Sequence, residues 1–475
     1  MTTKDTEKKS PNQRLQDKLL YKRESGWLHL KKKEQQAVFA FGEEYKNFLA
    51  VGKTERLCVA NLIGMLEAKG FRELGTVRSP RPGTGIYKNY KDKTLIAAVL
   101  GTEPTALRIV GSHVDSPRLD LKPTPLYEDA ELALLQSHYY GGIKKYHWVN
   151  VPLALHGVAI TRQGRRVAIH LGEGDDEPRF IIPDLLPHLA REQMKKDGGK
   201  LITGEQLNII CGHLPVQDKG IKEKIKFNVL KYLHEQYDLI EEDFAIAELE
   251  LVPAGRPVDI GFDRGLIGAY GQDDRVCVFT SARALLETVK PQSTAVGFWV
   301  DKEEIGSSGD TGADSLILHH FVAEYCRLAG VALSPLKLLE EACSISADVT
   351  SAMDPTFKEV SDPQNTSYLG RGVSVEKYGG GGGKFGTQDT RTEYMAYMRD
   401  LLIRNKIVWQ TGESGKIDVG GGGTIAKFMA RYGMDCVDAG PCMLGMHSTC
   451  EVTSKFDLYS AYRLYKAFFN DTQRA

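Results

Sequence analysis

Short unbroken apolar runs alternate with segments of helical period along both outer parts of the chain. "LRIV" (Leu107 to Val110), "STAVGFWV" (Ser293 to Val300) and "EACSISADV" (Glu341 to Val349) read as strands buried on both faces. "RVCVFTSARALLETV", Arg275 to Val289, spaces its apolar residues for a helix, and so does "SKFDLYSAYRLYKAFF" near the C-terminal end. This alternation predicts an α/β fold, with a central mixed, mainly parallel sheet flanked by helices. Between about Arg118 and Pro257 the pattern changes. "VAIHLGEG", "RFIIPDLL" and "LITGEQLNIICGH" read as shorter strands and turns, and "KEKIKFNVLKYLHEQYDL" as a helix. The outer parts, residues 1–117 and 258–475, therefore predict one domain, interrupted by a smaller β-rich domain at 118–257. The first 25 or so residues are charged and predict a mobile or helical arm.

Composition adds mainly exclusions. With 61 basic and 62 acidic residues, the net charge of -1 points to neither nucleic acid nor an anionic membrane as a partner. No apolar run approaches the length of a membrane span. The N-terminal "MTTKDTEKKSPNQRLQDK" has no apolar signal core, and the expected location is cytoplasmic. Eight scattered cysteines form no CxxC pair, which argues against a thiolate zinc site. "KYGGGGGKFG", Lys377 to Gly386, fails as a phosphate loop. Tyr378 replaces the first glycine, and Phe385 stands where Ser or Thr should follow Lys384.

The chemistry lies where predicted elements end. "VGSHVDSPRLD" places His113 and Asp115 two apart, and "YGQDDRV" holds Asp273 and Asp274 before a helix. "FWVDKEEIGSSGDTG" leaves a strand with the adjacent Glu303 and Glu304, "SISADV" ends a strand at Asp348, and "LGMHSTCEV" puts His447 just before a helix. In open α/β sheets ligands bind outside the carboxyl ends of the strands. Singly, each of these acids also suits a turn or a helix cap. Together, His113, Asp273, Glu304, Asp348 and His447 offer two nitrogens and three carboxylates. That set suits a pair of divalent ions, zinc, manganese or cobalt, with Asp273 bridging. Glu303 is then left as a free carboxylate to take a proton from an activated water. Asp115 can orient His113 from behind. The pattern predicts a hydrolase.

The order HxD, D-D, E-E, strand-end "SAD" and late "MHS" resembles the aspartyl aminopeptidase / aminopeptidase I family of dinuclear zinc metallopeptidases. The matches are "GSHVDSPRLDLKP", "KEEIGS", "SADV" and "GMHSTCE", with "YKRESGW" similar to that family's N-terminal region. The resemblance implies a metalloaminopeptidase that acts on peptides with a free N-terminus. It implies two ions per subunit, zinc first among the candidates. His113 and Asp348 would hold one, Glu304 and His447 the other, with Asp273 between and Glu303 as general base. It also implies that the insertion mediates dimerisation and that dimers build a tetrahedral dodecamer. The family's insertion supplies a histidine to a neighbouring site. "KKYHWVNVPL" leaves Tyr146 or His147 in that place, and His147 is the candidate. A family tyrosine after the glycine-rich loop is Phe385 here, where Tyr378 could substitute. Lys377 could meet a substrate carboxylate. The alternative is a related dinuclear amidase or deacylase acting on small N-acyl compounds.

Overall fold

The computed structural model describes residues 9–21 and 24–473. The expected N-terminal arm and the "YKRESGW" match therefore lie partly outside the described residues. Within the described part of the arm is the helix Pro11–Leu19, whose N-terminus is capped by the Ser10 hydroxyl.

Strands from the two outer parts of the sequence build one nine-stranded sheet. At its centre Ser293–Val300, Glu103–His113, Cys343–Ser346 and Asp435–Gly440 run parallel in that order. Antiparallel partners lie outside them: Thr94–Val99 on one side and Val373–Glu376 on the other. Successive strand residues point to opposite faces, and here both faces are covered. Along Ser293–Val300, Ala295 and Trp299 join the cluster that contains Tyr45, Phe279 and Tyr465. Val296, Phe298 and Val300 join the opposite cluster, with Phe321, Leu338 and Met429. This double burial is why the run is apolar throughout. Gln272–Leu286 and Lys455–Asn470 are the predicted helices, and both pack on the first face.

The middle of the sequence forms a second, six-stranded sheet, antiparallel throughout. Its strands run from Arg118–Asp129 to Glu248–Pro253, and its apolar cluster is its own. The expected helix there is Lys224–Tyr237. "RFIIPDLL" is not a regular strand: Phe180 and Ile181 make only isolated bridges. Pro183 has no N–H to extend a ladder. A five-stranded sheet includes Leu266–Ala269 and Glu451–Ser454. Among the described residues no helix is long and apolar enough to cross a membrane.

Candidate metal centre

Five chain segments converge at the carboxyl ends of the central strands. His113 closes Glu103–His113. Asp348 follows Cys343–Ser346 by two residues. Glu303 and Glu304 open a one-turn helix, Glu303–Ile305, just beyond Ser293–Val300. Asp273 and Asp274 have non-helical backbone angles at the head of Gln272–Leu286. His447 precedes a strand, Glu451–Ser454, rather than the helix the sequence suggested. Its φ of 63° lies in the left-handed region, an uncommon conformation for a residue other than glycine.

Both imidazoles are anchored through Nδ1 and face the cluster with Nε2. His113 Nδ1 donates to the Asp115 carbonyl at 3.0 Å, and His447 Nδ1 to the Gly142 carbonyl at 2.8 Å. A carbonyl can only accept, so Nδ1 carries a proton, and Nε2 is the nitrogen left to face the carboxylates or, once its own proton is displaced, a metal ion. Asp273 lies between the rings: Oδ1 is 3.2 Å from His113 Nε2, and Oδ2 is 3.0 Å from His447 Nε2. Asp348 Oδ1 lies 3.8 Å from His113 Nε2, and Glu304 Oε1 3.3 Å from His447 Nε2. Glu303 Oε2 stands 4.0 Å from His113 Nε2.

Asp115 holds this arrangement from behind. Its Oδ1 accepts the Glu303 N–H at 3.2 Å, and its Oδ2 the Glu304 N–H at 3.1 Å. The Tyr140 hydroxyl donates to the same Oδ2 at 2.9 Å. One fully buried carboxylate thus fixes the turn that carries both glutamates.

The electrostatics are those of a site that attracts positive charge. Burial, then the carboxylates of Asp348, Asp115 and Asp273, push the Glu303 carboxyl up to about 8 against the pull of His113. Burial and Asp273 likewise raise Glu304 well above the carboxylate range. Burial opposes charge on His447, but its bond to Asp273 and the field of Glu304 raise it to about 10. Donor atoms of His113, Asp273 and Glu304 lie within 4.8 Å of one another, as do those of His113, Asp274 and Asp348. Among the described residues, Glu304 Oε1 and Asp274 Oδ1 are buried without a hydrogen bond. Glu304's short approach to His447 is an ion-pair contact that lacks hydrogen-bond geometry. Imidazole and carboxylate donors crowded this way, with unused lone pairs, fit divalent ions such as zinc.

A family description, Aminopeptidase I zinc metalloprotease (M18), matches residues 48–469. The chain belongs to this family. It is an M18 metalloaminopeptidase, a hydrolase of peptides, and the amidase or deacylase alternative is not favoured. A probable M18 family aminopeptidase 1 of Clostridium acetobutylicum is 45% identical over 461 residues, covering 95% of this chain and 99% of that one. One of Borreliella afzelii is 44% identical, covering 95% and 100%. The crystal structure of an M18 aminopeptidase from Thermotoga maritima superimposes with a TM-score of 0.91 at 42% identity, over 95% of this chain and 100% of that one.

The structure brings seven of the eight candidate residues of this M18 chain together. The eighth, His147, sits on the connection after Leu132–Tyr140, in contact with the Tyr146 ring. Among the described residues, no hydrogen bond or ion pair joins it to the cluster, and its buried Nδ1 has no partner. Phe385 is 80% exposed on the glycine-rich loop, and Tyr378 lies under the Lys384 ammonium, 3.8 Å from its ring centre. Lys377 is exposed. Sequence reasoning missed Glu451. Its buried carboxylate accepts the N–H groups of Gln272, Asp273 and His447, at 2.6, 3.1 and 2.8 Å. The signal was the glutamate inside the quoted "LGMHSTCEV", four residues after His447. Tyr140 and the Gly142 carbonyl left no such signal.

Proposed function

We propose that this M18 aminopeptidase removes single N-terminal residues using two divalent ions. His113 and Asp348 would hold one ion, Glu304 and His447 the other, and Asp273 would bridge them. The observation that carries this reading is Asp273 itself, whose two oxygens face opposite imidazoles. Bound there, the ions would supply Lewis acidity to polarise the scissile carbonyl and make water a nucleophile near neutral pH. Glu303 takes the proton from the attacking water and returns it to the leaving amine. Its side chain is 17% exposed against 4% for Glu304, so it is the glutamate that reaches the cleft. Asp115 keeps His113 and both glutamates in register. Glu451 fixes the backbone of Asp273 and His447.

An aminopeptidase must count from a free α-amine, and the surplus of carboxylate here suits an ammonium group. With a matched panel of aminoacyl amides, acetylating the amine should abolish turnover. Equal cleavage of free and acetylated substrates would overturn the reading in favour of deacylation.

Residues 118–257 serve in this proposal as an inserted dimerisation domain, within a tetrahedral dodecamer built from dimers. The fold is shared with the S. cerevisiae mApe1 dodecamer, at 20% identity and a TM-score of 0.73. His147 then acts in a neighbouring subunit as a donor to the developing oxyanion, and its unused Nδ1 supports this. His147→Ala and Glu303→Gln should each be nearly inactive, yet regain activity when denatured together and reassembled as mixed oligomers. A mixture that stays inactive, with mixed assembly confirmed by mass, rules out the shared site. No disulfide joins the cysteines among the described residues, which suits the reducing cytoplasm. Cell fractionation tests that location.

A further inference from the structure

Tyr140 belongs to the second sheet yet bonds to the centre of the first. It ends the strand Leu132–Tyr140 and is buried. In the antiparallel ladder it stands directly opposite Arg118. The Arg118 guanidinium lies 3.8 Å from the centre of its ring. Arg118 is itself fixed by three carboxylates: Asp120 at 2.8 Å, Glu250 at 3.3 Å and Glu55 at 3.4 Å. The phenol ring is therefore held on one face by a cation that cannot move, a contact favourable in its own right when desolvated. Its hydroxyl has one buried acceptor, Asp115 Oδ2.

That acceptor is the carboxylate on which the glutamate turn hangs. If Asp115 rotates, the N–H groups of Glu303 and Glu304 lose their common anchor, and His113 loses the contact at 3.3 Å from its Nδ1. A buried carboxylate with several donors has one orientation that satisfies them all. Of these donors, the Tyr140 hydroxyl alone comes from the second sheet. Two residues further on, the Gly142 carbonyl orients His447. The end of this strand thus touches both sides of the cluster.

We propose that Tyr140 is a positioning residue for the peptidase reaction, acting through Asp115 to set the general base Glu303 against the metal ligand Glu304. The proposal rests on the roles given to those glutamates above. Tyr140→Phe is the direct test, because it keeps the ring on Arg118 and removes only the hydroxyl. Losses from removing such supporting hydrogen bonds are about 10–100-fold in activity or metal affinity. The expected result is a kcat at least about 10-fold lower with KM little changed. Zinc should also be surrendered more readily to a competing chelator.

Hydrogen exchange gives a readout that needs neither metal nor turnover. The amides of Glu303 and Glu304 should exchange faster in Tyr140→Phe, and this outcome stands even if the roles of the glutamates are wrong. Adding Asp115→Asn should then cost no more than Asp115→Asn alone, since the two act as one unit. Unchanged kcat, chelator resistance and exchange at the glutamate turn would overturn the proposal. So would fully additive losses, or faster exchange confined to Leu132–Tyr140. If Tyr140→Phe does not fold, a fluorinated tyrosine at position 140 keeps the size and strengthens the donor. Metal retention and kcat must then shift, and no shift overturns the proposal.

Discussion

Glu303→Gln is expected to retain its metal and lose at least about 10²–10⁴ in kcat, the usual worth of a general base. Glu304→Gln should instead lower the bound metal. The difference follows from where the two carboxylates point. Glu304 is buried, with Oε1 close to His447 Nε2 and no hydrogen-bond donor of its own. An amide there offers one neutral oxygen and turns an N–H₂ group toward a cation. Glu303 stands farther out, and its conversion removes a proton acceptor without removing a neighbour that Asp273 or the imidazoles depend on. Bound metal and turnover measured on both variants decide the matter. Equal metal loss in the two would dismantle the division of labour.

Arg118→Met is expected to cost about 3–5 kcal/mol of stability, the usual penalty for stranding a buried charge. Arg118 is 5% exposed, Glu55 is 0% exposed and Glu250 3%. Lys93, 3.1 Å from Glu55, remains to compensate that carboxylate. Among the described residues Glu250 has no second ion pair, and burial already pushes its carboxyl well above the usual range, so without Arg118 it must take up a proton or stay charged and buried. A methionine fills the space of the guanidinium stem, so the loss reports charge rather than volume. Adding Glu250→Gln should recover a substantial part of it, because the stranded charge is then removed. Urea unfolding midpoints of the two variants provide the measurement. A loss under about 1 kcal/mol for Arg118→Met would show that the cluster behaves like a surface ion pair.

The central parallel strands were legible because burial on both faces leaves a continuous apolar run. Ser293–Val300 was read with its full bounds. The acids of the candidate centre were legible because topology places strand ends together, so order along the sequence already encodes proximity. What could not be read depends on contacts between distant segments. Tyr140 meets Asp115 across 25 positions, and Asp115 meets Glu303 across 188. Neither relation leaves a periodicity. His447 was placed before a helix because the apolar spacing of Lys455–Asn470 is strong. The short strand Glu451–Ser454 exists through its ladder with Leu266–Ala269, which no local pattern announces. Glu451 went unassigned for the same reason.

The strand order also sets a timetable for synthesis. Thr94–Val99 and Glu103–His113 are almost contiguous in sequence, yet Ser293–Val300 lies between them in the sheet. On the ribosome these two apolar segments emerge with their shared partner still untranslated. At about 5–20 residues per second, the wait from residue 113 to residue 300 lasts roughly 10–40 s. Every strand of the antiparallel sheet is translated within that interval, from Arg118–Asp129 to Glu248–Pro253. The middle of the molecule can therefore be complete while its beginning is still waiting, with naked strand edges that must be kept from other nascent chains.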